Sequence, residues 1–261
     1  MHDLYRARRP ALALAALCLA AISWAAPVPA GAGTGAGPAA EDRALTPEDT
    51  TVPDAVLDER LRFLEERLDA SRTHGQIWYW SWMSIDSVSM VWLGVQAGLD
   101  DHEDNQVNDG VNAGLSAIGI ADLLLRPLQA RHGAGPVRDL PEATREEKIA
   151  KVRAAERRLQ GNAERADERT SLAMHAGNVG LNGAAGLIVG LAGRPSDGLI
   201  TFGAGTLGGV INLLSAPWRP ARDWQDYQAM VHDAGAEAPG GVDLGLTPLP
   251  GGAHLAFRLS W

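Results

Sequence analysis

The sequence predicts an all-α protein: duplicated helical hairpins forming a four-helix assembly of long apolar Gly-rich helices, with a short C-terminal β-hairpin. Three observations predict it. Charged stretches with apolar residues at three- and four-residue steps occur twice, and each leads into an apolar stretch rich in small residues. The returning apolar stretches also align, Asp109-Gly110 on Asp197-Gly198, Leu123-Leu124 on Leu213-Leu214 and Pro127 on Pro217, with Asp122 opposite Asn212 and a two-residue insertion between the anchors. Strand-like alternation is found only near the C-terminus.

Residues 1–25 read as a signal peptide. Arg6, Arg8 and Arg9 precede the apolar run 11–22, and Ser23-Trp24-Ala25-Ala26 supplies small residues for cleavage. The apolar run is about half the roughly 20 residues that a membrane span needs. The single cysteine, Cys18, follows Leu17 rather than a small residue, so a lipid anchor is not expected. The mature chain then has no thiol for a disulfide or for catalysis. Removing the signal takes the formal charge from -9 to -11, which excludes nucleic acid as a partner class.

Residues 26–53 are rich in Pro, Gly, Ala and acids and read as a flexible linker, since nothing there offsets the entropy of ordering it. The first helical repeat is expected over 54–132. Val56, Leu57, Leu61, Leu64 and Leu68 make one stripe on a charged helix, and 74–98 follow with Trp78, Trp80, Trp82 and Trp92. Trp78 and Trp82 share a helical face, for packing or assembly, while Trp80 points elsewhere. An acidic break at 100–105 precedes a second apolar helix, with Asn108 or Asp109 as its expected N-cap. A connector spans 133–143, and the second repeat, 144–222, returns to the same plan.

The tail, 223–261, ends in a sequence that reads as two short strands around Pro248 to Gly252. Leu255, Phe257, Leu259 and Trp261 alternate with Ala256, Arg258 and Ser260. Over these last residues the chain resembles the closing strand of bacterial outer-membrane barrel proteins, which implies the outer membrane as a destination. Nothing upstream supplies the further alternating segments of a barrel.

Segments 77–99 and 171–193 are long enough to span a bilayer, and the steps Gly186 to Gly190 and Gly205 to Gly209 allow close helix approach or assembly. Asp86, Gln96, Asp122, Asn178, Asn182 and Asn212 lie within the apolar segments, and a central Asp costs about 2.5–3.5 kcal/mol on insertion. The acidic turn at 100–107 also lacks the Lys and Arg of a cytoplasmic loop. On these grounds a buried bundle, soluble or peripheral, is expected ahead of spanning helices.

No catalytic residue, metal site or cofactor is expected. Gly203-Ala204-Gly205-Thr206-Leu207-Gly208, with Asp223 about 20 residues on, imitates a dinucleotide fingerprint, but no strand follows and Pro217 and Pro220 interrupt. The acids at 100–104 and Asp109 lack calcium-loop spacing. Asp86 and Asp122, with His74 and His175, form the one buried acid and imidazole set, and the polar residues to watch are Asp86, Asp122 and Asn212. GxSxG, HExxH and SxxK are all missing. The expectation is a non-enzymatic protein of the bacterial cell envelope, exported to periplasm or outer membrane. It would act by binding or assembly on an envelope membrane or a membrane protein, or as a homo-oligomer. The alternatives are an integral protein oligomerising through glycine faces and a periplasmic enzyme or ligand-binding bundle.

Overall fold

The computed structural model describes residues 52–236, 242–249 and 252–259. The expected signal peptide and nearly all of the expected linker lie outside the described residues. So do Trp261 and the side chains of Leu255, Phe257 and Leu259.

The body is helical throughout. In chain order it comprises α1 (Asp54–Ala70), α2 (Arg72–Leu99), α3 (Glu103–Leu125), a 3-10 turn (Gln129–His132), the short α4 (Gly135–Arg138), α5 (Arg145–Thr170), α6 (Leu172–Ala192), α7 (Pro195–Ser215) and α8 (Arg219–Ala236). Beyond it, β1 (Val242–Leu249) and β2 (Gly252–Leu259) pair antiparallel, with backbone register running from Val242↔Leu259 to Leu249↔Gly252.

The charged helices build a head. The α1 stripe of Leu57, Leu61, Leu64 and Leu68 is buried against Ile149, Val152, Ala155 and Leu159 of α5 and Tyr227 of α8. These residues recur at helical spacing, so one face of each helix leaves water together. Trp224 stacks on Tyr227 with ring centroids 5.6 Å apart, and the Tyr227 hydroxyl donates to Glu156. Thr144 starts α5 with a capping box: its hydroxyl accepts from the Glu147 amide, and Glu147 accepts from the Thr144 amide at 3.0 Å.

The apolar helices pair as hairpins, α2 with α3 and α6 with α7, and the hairpins meet through α3 and α6. Val107 and Val111 of α3 pack on Ala185 and Val189 of α6 near the hairpin tips, where Arg194 also donates to Asn105 at 2.7 Å. At the opposite end Trp78, Tyr79, Leu123, Leu128, Ala130 and Ala216 form a collar next to the head.

One expectation needs correction. Helix α3 starts at Glu103, so Asn108 and Asp109 lie inside it rather than at its N-cap. Asp100 closes the turn instead, accepting from the His102 amide at 2.7 Å and from Asn105 at 3.0 Å, while Glu103 and Asp104 suit the positive end of the helix dipole. The outward faces of the apolar helices carry exposed large side chains. Val88 on α2 is 68% exposed, Leu191 on α6 86% and Leu199 on α7 73%.

Candidate functional site

The hairpins enclose a cleft of about 430 Å³ lined by α2, α3, α6 and α7. Asp86 and Ser89 come from α2, Asn112, Ser116 and Asp122 from α3, Asn178 and Asn182 from α6, and Asn212 from α7. Apolar walls are supplied by Trp82, Leu93, Leu115, Met174 and Leu181. The polar residues lie mainly one or two helical turns apart on inward faces, at i and i+4 in the cases of 112/116 and 178/182.

The floor is a buried ion-pair network. Arg169, at the end of α5, is 2% exposed, donates to Asp122 at 3.1 Å and to Asn212 Oδ1 at 3.4 Å, and lies 4.4 Å from the centroid of the Trp78 ring. Asp122 also meets Arg126 at 3.4 Å and Arg165 at 3.6 Å. Asp122 and Asn212, opposite each other in the sequence alignment of the two halves, thus flank a single guanidinium. Arg169 was not singled out by the sequence, because it ends a charged helix and carries no motif.

Glycines set the spacing of the cleft. A Cβ at Gly119 would lie 2.6 Å from Asp86 Oδ2, and a Cβ at Gly205 or Gly209 would overlap the side chains of Asn182 or Asn178. Gly186 approaches Gly198 O and the Phe202 side chain, and Gly190 lies against Pro195 and Gly198. Gly186, Gly190, Gly205 and Gly209 therefore serve contacts within the α6–α7 hairpin. The imitation dinucleotide motif is mid-helix in α7, where no strand-to-helix turn exists to cradle phosphate.

The tryptophans divide as their spacing suggests. Trp78 is buried and donates to Asn212 O at 3.1 Å, Trp82 donates to Ser215 Oγ at 3.3 Å, and Trp80 and Trp92 are exposed. His74 bonds the Ser215 carbonyl at 2.9 Å, and neither His74 nor His175 is hydrogen-bonded to Asp86 or Asp122. Among the described residues, no three His, Cys, Asp or Glu side chains converge as a metal site.

Among the described residues, two stretches are long and apolar enough to cross a membrane: α6, and the one that opens with α7. Only 28% and 17% of them are buried. No protein family, curated protein or solved structure matches this chain.

Proposed function

We propose that the protein is an exported, non-enzymatic cell-envelope protein that inserts its two apolar hairpins into a bilayer as a four-helix assembly and acts by binding in the cleft between them. One observation carries the reading: α2, α3, α6 and α7 expose large apolar side chains such as Val88, Trp92, Leu124, Leu187, Leu191, Leu199 and Leu214, while Asp86, Asn112, Asp122, Asn178, Asn182 and Asn212 line the cleft between them. Water would penalise that distribution, whereas lipid favours it. Exposed large apolar side chains in this number on four neighbouring helices favour a membrane or a partner over a solvated surface. At 1.5 Å per residue, the 21 residues of α6 or α7 reach about 32 Å, close to the roughly 30 Å of a hydrocarbon core.

Because Gly186, Gly190, Gly205 and Gly209 are occupied within the chain, assembly through glycine faces has less support. The basic n-region and the small residues at 23–26 support export, and the aromatic tail supports the outer membrane as the destination.

The test is fractionation of cells expressing the full chain, with a carbonate wash and separation of inner from outer membrane. The mature N-terminus would be sequenced from the fraction that holds the protein. The expected result is a carbonate-resistant membrane protein beginning at residue 26 or 27. Release into the soluble fraction would overturn the insertion reading.

A further inference from the structure

We propose that the cleft is a binding site for a lipophilic organic monocation, an ammonium or similar centre on an apolar body, with the Asp86 carboxylate as its counter-ion. The proposal rests on the membrane-inserted reading.

The first argument is charge. Two acids, Asp86 and Asp122, line the cleft, and they differ in whether a cation meets them. Asp122 is held by Arg126, Arg165 and Arg169, whereas Asp86 has no hydrogen bond or ion pair among the described residues. A carboxylate within the bilayer is costly, and uncompensated intramembrane acids mark ligand or ion sites by default.

The second argument is the direction of the hydrogen bonds. The amide groups of Asn112, Asn178 and Asn182 donate inside the protein, to Asn108 O at 2.8 Å, Thr206 O at 2.9 Å and Asn178 O at 2.9 Å. Those donors are committed to the scaffold. The Asp86 oxygens and Asn112 Oδ1 accept no hydrogen bond from the described residues, so the α2–α3 side of the cleft offers acceptors to a cation, away from the uncommitted Nε of Arg169 at the floor.

Size and wall chemistry select the kind of cation. About 430 Å³ lies within the range of pockets for organic ligands and far exceeds a bare alkali ion. Among the described residues Asp86 is the one unpaired acid of the cleft, whereas a calcium-type ion gathers several hard oxygens. Trp82, Leu93, Leu115 and Leu181 suit an apolar body, and an indole next to a carboxylate suits a diffuse positive charge. The hydrogen bonds joining α2 to α7, from His74, Trp78 and Trp82, all lie at the base by the collar. The upper part of that seam has no such tie to be broken by a ligand arriving from the apolar belt.

The experiment uses the full chain purified into phospholipid nanodiscs, with radiolabelled tetraphenylphosphonium as probe in equilibrium dialysis. Saturable binding near one probe per chain is expected, weakened at least tenfold by Asp86→Asn and unchanged by Asp101→Asn on the exposed tip. As a measurement independent of the variant's folding, the probe should protect Asp86 of the unmodified chain from dicyclohexylcarbodiimide. No saturable binding, equal binding by Asp86→Asn, or unprotected modification of Asp86 would overturn the proposal. Displacement by sodium chloride as effective as by an organic amine at equal concentration would also overturn it, in favour of an alkali ion. A chain that resists carbonate yet binds no probe sinks this proposal and leaves insertion standing. A chain that washes free removes both.

Discussion

Asn178 and Gly209 touch so closely that a methyl group on residue 209 would overlap the Asn178 amide, with its Nδ2 2.7 Å away. That amide is buried and is fixed by its bond to Thr206 O at 2.9 Å, so it cannot swing aside without breaking that bond. Gly198 is tighter still, since a Cβ there would overlap Gly186 O and stand 2.7 Å from Gly190 N, and backbone does not yield. Gly203 and Gly180 face open space. In thermal unfolding followed by circular dichroism, Gly209→Ala should destabilise by about 1–3 kcal/mol and Gly198→Ala by at least that much. Gly203→Ala should leave stability unchanged or raise it by up to about 1 kcal/mol through helix propensity. Equal effects at 203 and 209 would refute the packing account.

Arg169 and Asp122 offer a second prediction. Removing Asp122 leaves the buried Arg169 guanidinium without its counter-ion, so Asp122→Ala should cost about 3–5 kcal/mol in the same unfolding measurement, and Arg169→Ala less, since Arg126 and Arg165 still meet Asp122. Replacing both, as Arg169→Met with Asp122→Leu, should recover much of the loss, because the pair stabilises far less than breaking it destabilises. A double variant as unstable as the sum of the singles would show that the two residues are not coupled.

The helices and the split of the tryptophans were legible in the sequence because both follow from 3.6-residue periodicity. Asp86, Asp122 and Asn212 could be singled out because polar residues in apolar runs are conspicuous. Which way each face points was not legible. A Gly-xxx-Gly step reports close approach but not what approaches, and Gly205 and Gly209 turn out to face Asn182 and Asn178 within the chain. The apolar periodicity of α2 likewise does not distinguish a core from a lipid belt. Only the placement of α3 beside it shows that Asp86 is inward and Val88 outward. The start of α3 was misplaced because its first turn, Glu103 to Gln106, is polar and carries no apolar stripe.

The Asp69 carboxyl supplies a pH prediction in the head. Burial pushes it up, but the Ala134 amide, donating at 2.9 Å, and Arg138, at 2.6 Å, outweigh burial and hold it below its usual 3.8. A depressed acid stabilises the fold above its unfolded-state value, and that contribution is lost as pH falls through the folded one. Stability should therefore fall as the pH drops below about 4, and Asp69→Asn should flatten this acid limb while lowering stability at pH 7. Gly133 lies against the same carboxylate with φ 58°, a backbone conformation that favours glycine. An acid limb of unchanged steepness in Asp69→Asn would remove Asp69 from this role.

The hairpin geometry makes a final prediction about sidedness. The turn between α2 and α3 and the turn between α6 and α7 are tied together by Arg194 and Asn105, so they lie at one end, and the head lies at the other. Insertion therefore places both tips on one side of the membrane and the head on the opposite side, whichever membrane is used. The lone native cysteine, Cys18, falls in the expected signal, so single cysteines at Asp101, Ser196 and Gln160, all exposed, would report cleanly once the signal is removed. In sealed vesicles, a membrane-impermeant maleimide should label Asp101→Cys and Ser196→Cys alike and Gln160→Cys oppositely, with all three labelled after detergent. Equal labelling of all three in intact vesicles would mean that the hairpins do not cross. The outward Val, Leu and Trp side chains would then have to be covered by protein rather than lipid.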